Sequence, residues 1–114
     1  MKLRTIKTLL DATVVCGQDQ LEQDVTTACS GDFMGDVMSL CRPDSVLLTG
    51  LVSPQLISTC VMKGVRCVVF VRGREPSPEV IQMGKDKGIV LLKTKCMMYK
   101  SCGLLYKSGL LGDD

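Results

Sequence analysis

The stretch CVVFVRGREPSPEV, Cys67 to Val80, runs five apolar residues straight into Arg72, Gly73, Arg74 and Glu75. Two guanidinium groups flanking a glycine suit anion recognition. The forked N–H donors match a phosphate or carboxylate, and the glycine lets backbone approach the ligand. Three other loops follow apolar runs in the same way: SGDFMGD (30–36) with Gly31 and Asp32, TGLVSP (49–54) with Thr49 and Gly50, and KTKC (93–96) with Thr94. Ser53 and Ser77 each precede a proline that suits a first helical position, so free N–H groups and positive helix dipoles should lie near Arg72, Arg74, Lys93 and Lys95. The phosphate signatures GxxxxGK[ST] and GxGxxG are both missing. Asp32 and Asp36, four apart, could hold a cation through water; a helix N-cap and a solvated carboxylate explain them more simply.

Catalytic chemistry has little to work with. There is no histidine to serve as a base near neutral pH, no GxSxG, and no second carboxylate at a telling distance from Glu75 or Glu79. The expectation is therefore no enzyme and no cofactor. The seven cysteines include no CxxC pair, and their number is odd. Zinc ribbons, haem attachment and thioredoxin-like exchange all lack their spacing. Cys96 and Cys102, if on one helix, would not share a face. The cysteines thus read as small hydrophobes in a reducing compartment, with a redox or iron–sulfur protein the competing account.

Net charge is +2 but unevenly spread: residues 1–62 hold four basic and seven acidic side chains, residues 63–114 ten and five. The lysines sit on separate elements without interleaved aromatics, which argues for a solvated surface and against nucleic acid. No apolar run approaches a membrane span. The start, MKLRTIKTLLDATVV, has the basic-then-apolar look of a leader, but Lys7 and Asp11 interrupt it and no small-residue cleavage site follows. A cytoplasmic location is expected.

These residues need elements to position them. In 114 residues there is length for one domain, 1–114. KLRTIKTLLDA has helical spacing, TVVC and VTTACSG read as strands, and DFMGDVMSLCR places Phe33, Val37, Leu40 and Cys41 on one helical face behind Asp32. Then SVLLTG, VRCVVFV and IVLLK alternate as strands with the helices SPQLISTCVMKG and SPEVIQMGKDKG, each opened by Ser-Pro and closed by Gly. A last helix, CMMYKSCGLLYKSGL, should fray near Gly109. Alternation with short connections and continuously apolar strands predicts an α/β fold, a three-layer α/β/α arrangement on a mostly parallel sheet of about five strands. Ligands of such sheets gather outside the carboxyl ends of the strands, near a switch in strand order.

Laid out this way, LLTGLVSPQLISTCVMKGVRCVVFVRGREPSPEVIQMGKDKGIVLLKT, Leu47 to Thr94, together with the earlier GDFMGDVMS, resembles the DRTGG domain family and the similar N-terminal domain of HPr kinase/phosphorylase. The resemblance covers roughly residues 1–108. It implies an α/β fold and a regulatory part without a reaction of its own, of the kind fused to CBS nucleotide-sensing domains, phosphotransacetylase or the HPr kinase domain. The chain departs from that pattern in two loops: Gly50-Leu51-Val52 stands where the resemblance would have Gly-Asp-Arg follow a strand, and Val71-Arg72-Gly73 where it would have Thr-Gly-Gly end the next. Two functions follow as expectations. One is a regulatory module holding a small anionic ligand, nucleotide or phosphorylated metabolite, through Gly31, Asp32, Thr49, Gly50, Arg72, Gly73, Arg74, Glu75 and Thr94. The other is an interaction module forming a homo-oligomer, a dimer first, through the apolar last helix with Met97, Met98, Leu104, Leu105, Leu110 and Leu111.

Overall fold

Stretches apolar throughout can only be strands if both faces are covered, and that is how a computed structural model of the chain, describing residues 1–112, disposes of them. In chain order the elements are α1 (Leu3–Leu9), β1 (Thr13–Cys16), a 3-10 turn (Gln18–Gln20), β2 (Thr27–Ser30), α2 (Met34–Leu40), β3 (Ser45–Thr49), α3 (Pro54–Lys63), β4 (Cys67–Phe70), α4 (Pro78–Lys87), β5 (Val90–Lys93) and α5 (Met98–Lys107). The result is an α/β fold with five helices and one mixed, mostly parallel sheet in the order β1-β5-β4-β3-β2. Every residue of β3 and β4 is buried. Because side chains alternate along a strand, the apolar residues divide between two cores. Val46, Leu48, Cys67, Val69, Val90 and Leu92 pack with Leu3, Ile6 and Leu10 at α1 and Leu105 of α5. Leu47, Val68, Phe70 and Leu91 pack with Val37 of α2, Leu56, Ile57 and Cys60 of α3, and Val80 of α4.

Strands β2 to β5 are parallel and follow one another without reversal, so the switch in order expected of a ligand-binding sheet does not occur among them. The change lies at the edge, where β1 runs antiparallel to β5. Registers pair Ser30 with Leu48, Thr49 with Phe70 and Phe70 with Lys93, which brings four carboxyl ends to one rim. The antiparallel pairing of Thr13 with Lys93 adds the start of β1 to that rim.

Helix ends follow the local sequence closely. Pro54 and Pro78 open α3 and α4, and Gly64 and Gly88 close them in the left-handed region that glycine alone enters without a steric cost. Ser77 Oγ accepts from Val80 N–H at 3.3 Å, whereas Ser53 holds the same position without a side-chain cap bond.

Around α2 the structure departs from the sequence pattern. The cap position is Phe33, not Asp32, whose carboxylate is committed elsewhere. Val37 and Cys41 are buried, but Phe33 and Leu40 are 66% and 65% exposed. A helix of only seven residues meets the sheet along a narrow stripe. The cysteines are not all free hydrophobes either: Cys29 of β2 and Cys41, the residue capping the end of α2, form a disulfide with Cα atoms 5.9 Å apart. The helix returns antiparallel over its own strand, so residues twelve apart meet without any CxxC spacing to announce it. Cys96 precedes α5, so it shares no helix with Cys102. Among the described residues no helix is long and apolar enough to cross a membrane.

Candidate functional site

The shared rim carries two groups of side chains. At the ends of β2, β3 and β4, Asp32 Oδ1 accepts hydrogen bonds from the Gly50 N–H at 2.6 Å and the Thr49 hydroxyl at 3.4 Å, while Oδ2 lies 3.4 Å from Arg72 Nη1. Arg72 is reached through a tight backbone turn: its φ is +51, unusual for a residue with a Cβ, and Gly73 follows at +73. Two backbone bonds, Arg72 N–H to Cys96 O at 2.7 Å and Gly73 N–H to Thr94 O at 3.0 Å, hold that conformation. The guanidinium then lies across Gly50, in the space a Cβ there would need. Glycine is required at position 50 for this close approach.

Next to this group, at the ends of β4 and β5 and the start of β1, an open cleft of about 440 Å³ is bounded by Leu10, Asp11, Thr13, Gly73, Glu75, Lys93, Thr94, Lys95 and Cys96. Thr94 is in the wall, but its hydroxyl is already used. It donates to Leu10 O at 2.6 Å and accepts from Cys96 N–H at 3.1 Å, stitching the end of α1 to the end of β5. Glu75 is held by Lys93 Nζ at 3.0 and 3.1 Å. Arg74 and Lys95 form no side-chain hydrogen bond or ion pair among the described residues.

A profile of the DRTGG domain matches residues 5–107. The chain belongs to the DRTGG domain family. Among solved structures it is similar to the CBS and DRTGG domains of the regulatory region of Clostridium perfringens pyrophosphatase, complexed with the activator diadenosine tetraphosphate. The TM-score is 0.74 at 14% identity, with 94% of this chain and 46% of that one covered. This DRTGG domain thus spans less than half of that chain, and the likeness at such identity is one of fold. No curated protein matches.

In this DRTGG domain the Gly50-Leu51-Val52 loop carries no charge of its own, and the Arg72 guanidinium from the next strand end lies over Gly50. The rim unites Asp32, Thr49, Gly50 and Arg72 in the first group, and Gly73, Glu75 and Thr94 in the cleft. Gly31 makes a backbone bond to Leu48 O at 3.1 Å and contacts neither group through a side chain. Leu10, Asp11 and Thr13 were not among the sequence candidates. They arrive through the antiparallel pairing of β1, for which a local stretch of sequence carries no signal.

The buried cysteines are poor reagents. Burial pushes the Cys60 thiol up to about 12 and raises those of Cys67 and Cys16 above their ordinary value, the last in spite of a backbone hydrogen bond and nearby Lys85. At neutral pH they are thiols, and it is the thiolate that attacks or binds metal. Among the described residues no three His, Cys, Asp or Glu side chains gather as a metal site would require.

Proposed function

We propose that this DRTGG domain is a three-layer regulatory module that binds a small anionic ligand, a nucleotide or phosphorylated metabolite, in the cleft at the carboxyl ends of β4 and β5. The observation that carries this reading is an opening of about 440 Å³ with Lys95 in its wall and Arg74 between two wall residues, both cations without a side-chain partner among the described residues. That volume falls in the ordinary range for small-molecule sites, roughly 300–1,000 Å³. Lys93 is paired with Glu75, so Lys95 is the wall cation left for an anion, with Arg74 adjacent to the wall in sequence and the Asp11 carboxylate on the side the anion must avoid. The regulatory region of the clostridial pyrophosphatase, with its diadenosine tetraphosphate activator, supports the ligand class by analogy of fold.

A thermal-shift panel of nucleotides and phosphorylated metabolites tests the proposal. A true ligand at about 100 times its Kd should stabilise the native state by roughly 2.7 kcal/mol, and the Lys95→Ala, Arg74→Ala double variant should lose most of that shift. A flat response across the panel, or a shift the double variant retains, rules the cleft out.

Self-association is the second reading, and the surface of α5 favours it: Tyr99 is 92% exposed, with Met97 and Tyr106 also largely in solvent. Of the apolar residues expected to make an interface, Leu105 and Leu110 are buried in the core and Met98 and Leu104 pack against it. The contact would therefore use Met97, Tyr99 and Tyr106. Sedimentation velocity should show a homodimer that Tyr99→Glu dissociates; a strict monomer at high concentration removes this reading.

A further inference from the structure

The group around Asp32 is arranged as an anion site with its anion already in place. Three donors from two neighbouring strands converge on one carboxylate: the Gly50 N–H, the Thr49 hydroxyl and the Arg72 guanidinium. The donor side is rigid. Thr49 and Gly50 are buried at the end of β3, and the backbone from which the Arg72 side chain projects is held by its bond to Cys96 O. The acceptor side is loosely held. Asp32 lies in the short loop between β2 and α2 with its side chain 42% exposed, and a Cβ at the preceding Gly31 would meet nothing within 4 Å. We infer that Asp32 is an internal stand-in for an external oxyanion, occupying a phosphoryl-binding site formed by Gly50, Thr49 and Arg72 that opens when Asp32 is displaced.

The chemistry favours a phosphoryl group over a second carboxylate. A terminal phosphate brings about −1.5 to −2 charges and three acceptor oxygens, enough to use all three donors at once, while a carboxylate offers no more than Asp32 already does. A guanidinium fork and a backbone N–H are common phosphate partners. A tethered carboxylate competes at an effective concentration in roughly the millimolar range. Free phosphate therefore displaces it poorly, whereas a phosphoester whose remaining body touches the adjoining loops has the extra contacts to do so. The site is separate from the β4–β5 cleft and does not depend on it.

The test follows the Gly50 amide by 15N NMR during titration with inorganic phosphate, at ionic strength held constant with chloride. In the wild type the amide should respond weakly. In Asp32→Ala it should shift and saturate with an affinity tighter by on the order of ten-fold or more, and adding Arg72→Gln should abolish that gain. Should Asp32→Ala not fold, Asp32→Ser carries the same comparison, since its shorter side chain gives up the carboxylate held by Gly50 and Arg72 while keeping a polar residue in the loop. A folded Asp32 variant whose Gly50 amide ignores phosphate, or responds equally without Arg72, overturns the inference. Either result leaves the Lys95-dependent shift of the cleft to stand or fall by itself.

Discussion

Phe70→Ala is expected to destabilise the domain by about 3–5 kcal/mol, the usual cost of emptying a large buried aromatic site. Phe70 is wholly buried and heads the largest buried side chains of the protein. It lies on the face of β4 that packs with Leu56, Ile57 and Val80 of α3 and α4. With only two phenylalanines, two tyrosines and no tryptophan in the chain, no other ring can collapse into the space. A typical domain has roughly 5–15 kcal/mol in all, so the loss is a large fraction of the total and should lower Tm on the order of 10–20 °C. Phe70→Leu conserves most of the volume and should cost less than about 1.5 kcal/mol. Thermal and urea unfolding of the two variants measure this. A Phe70→Ala Tm within a few degrees of wild type would mean that the helices α3 and α4 do not close over the sheet as described.

Removing the Cys29–Cys41 disulfide is expected to cost about 2–4 kcal/mol, since the bridge closes a loop of a size for which chain-entropy arguments give roughly 3. The loss should be local in its consequences. Strand β2 is an edge strand paired only with β3, and α2 is a seven-residue helix lacking a side-chain N-cap. Without the bridge the helix keeps mainly Val37 and Cys41 to anchor it. Hydrogen exchange in Cys29→Ser should rise in α2 and the Gly31–Phe33 loop, while β3 and β4 stay protected up to global unfolding. Thiol titration of the unfolded, unreduced protein provides the first check, five reactive groups being expected from the free cysteines Cys16, Cys60, Cys67, Cys96 and Cys102. Seven thiols, or unchanged exchange in α2, would contradict the bridge or its role.

Much of the architecture is legible because its signals are local. SVLLT and CVVF have no polar residue that a central strand must exclude from its middle, and they become the two fully buried strands. Ser-Pro and Gly mark both ends of α3 and of α4 because a proline lacks an N–H that the first helical position does not need, and glycine accepts the left-handed closing turn. Where DFMGDVMSLCR misleads, its apolar residues do recur at helical spacing. The helix is simply too short for all of them to reach the sheet, so Phe33 and Leu40 face solvent. Asp32 misleads for a related reason. An aspartate before a helix usually caps it, but here its carboxylate takes a backbone N–H and a guanidinium at the neighbouring strand ends, and the charged pair makes these strong partners.

What the sequence determined by itself was the α/β class, the order of strands and helices, and the four loops that leave the strand ends, because each depends on side-chain period or turn chemistry within a dozen residues. Only the tertiary structure decided which charges are free. Arg72 and Arg74 look equivalent in VRGRE, yet a left-handed backbone turn sends Arg72 across Gly50 to Asp32, forty residues earlier in the chain, and leaves Arg74 without a side-chain partner among the described residues. The same holds for β1, whose antiparallel pairing with β5 brings Asp11 and Thr13 to the cleft, and for the meeting of Cys29 and Cys41. Such contacts are set by where the backbone returns in space, and a one-dimensional pattern does not encode that return.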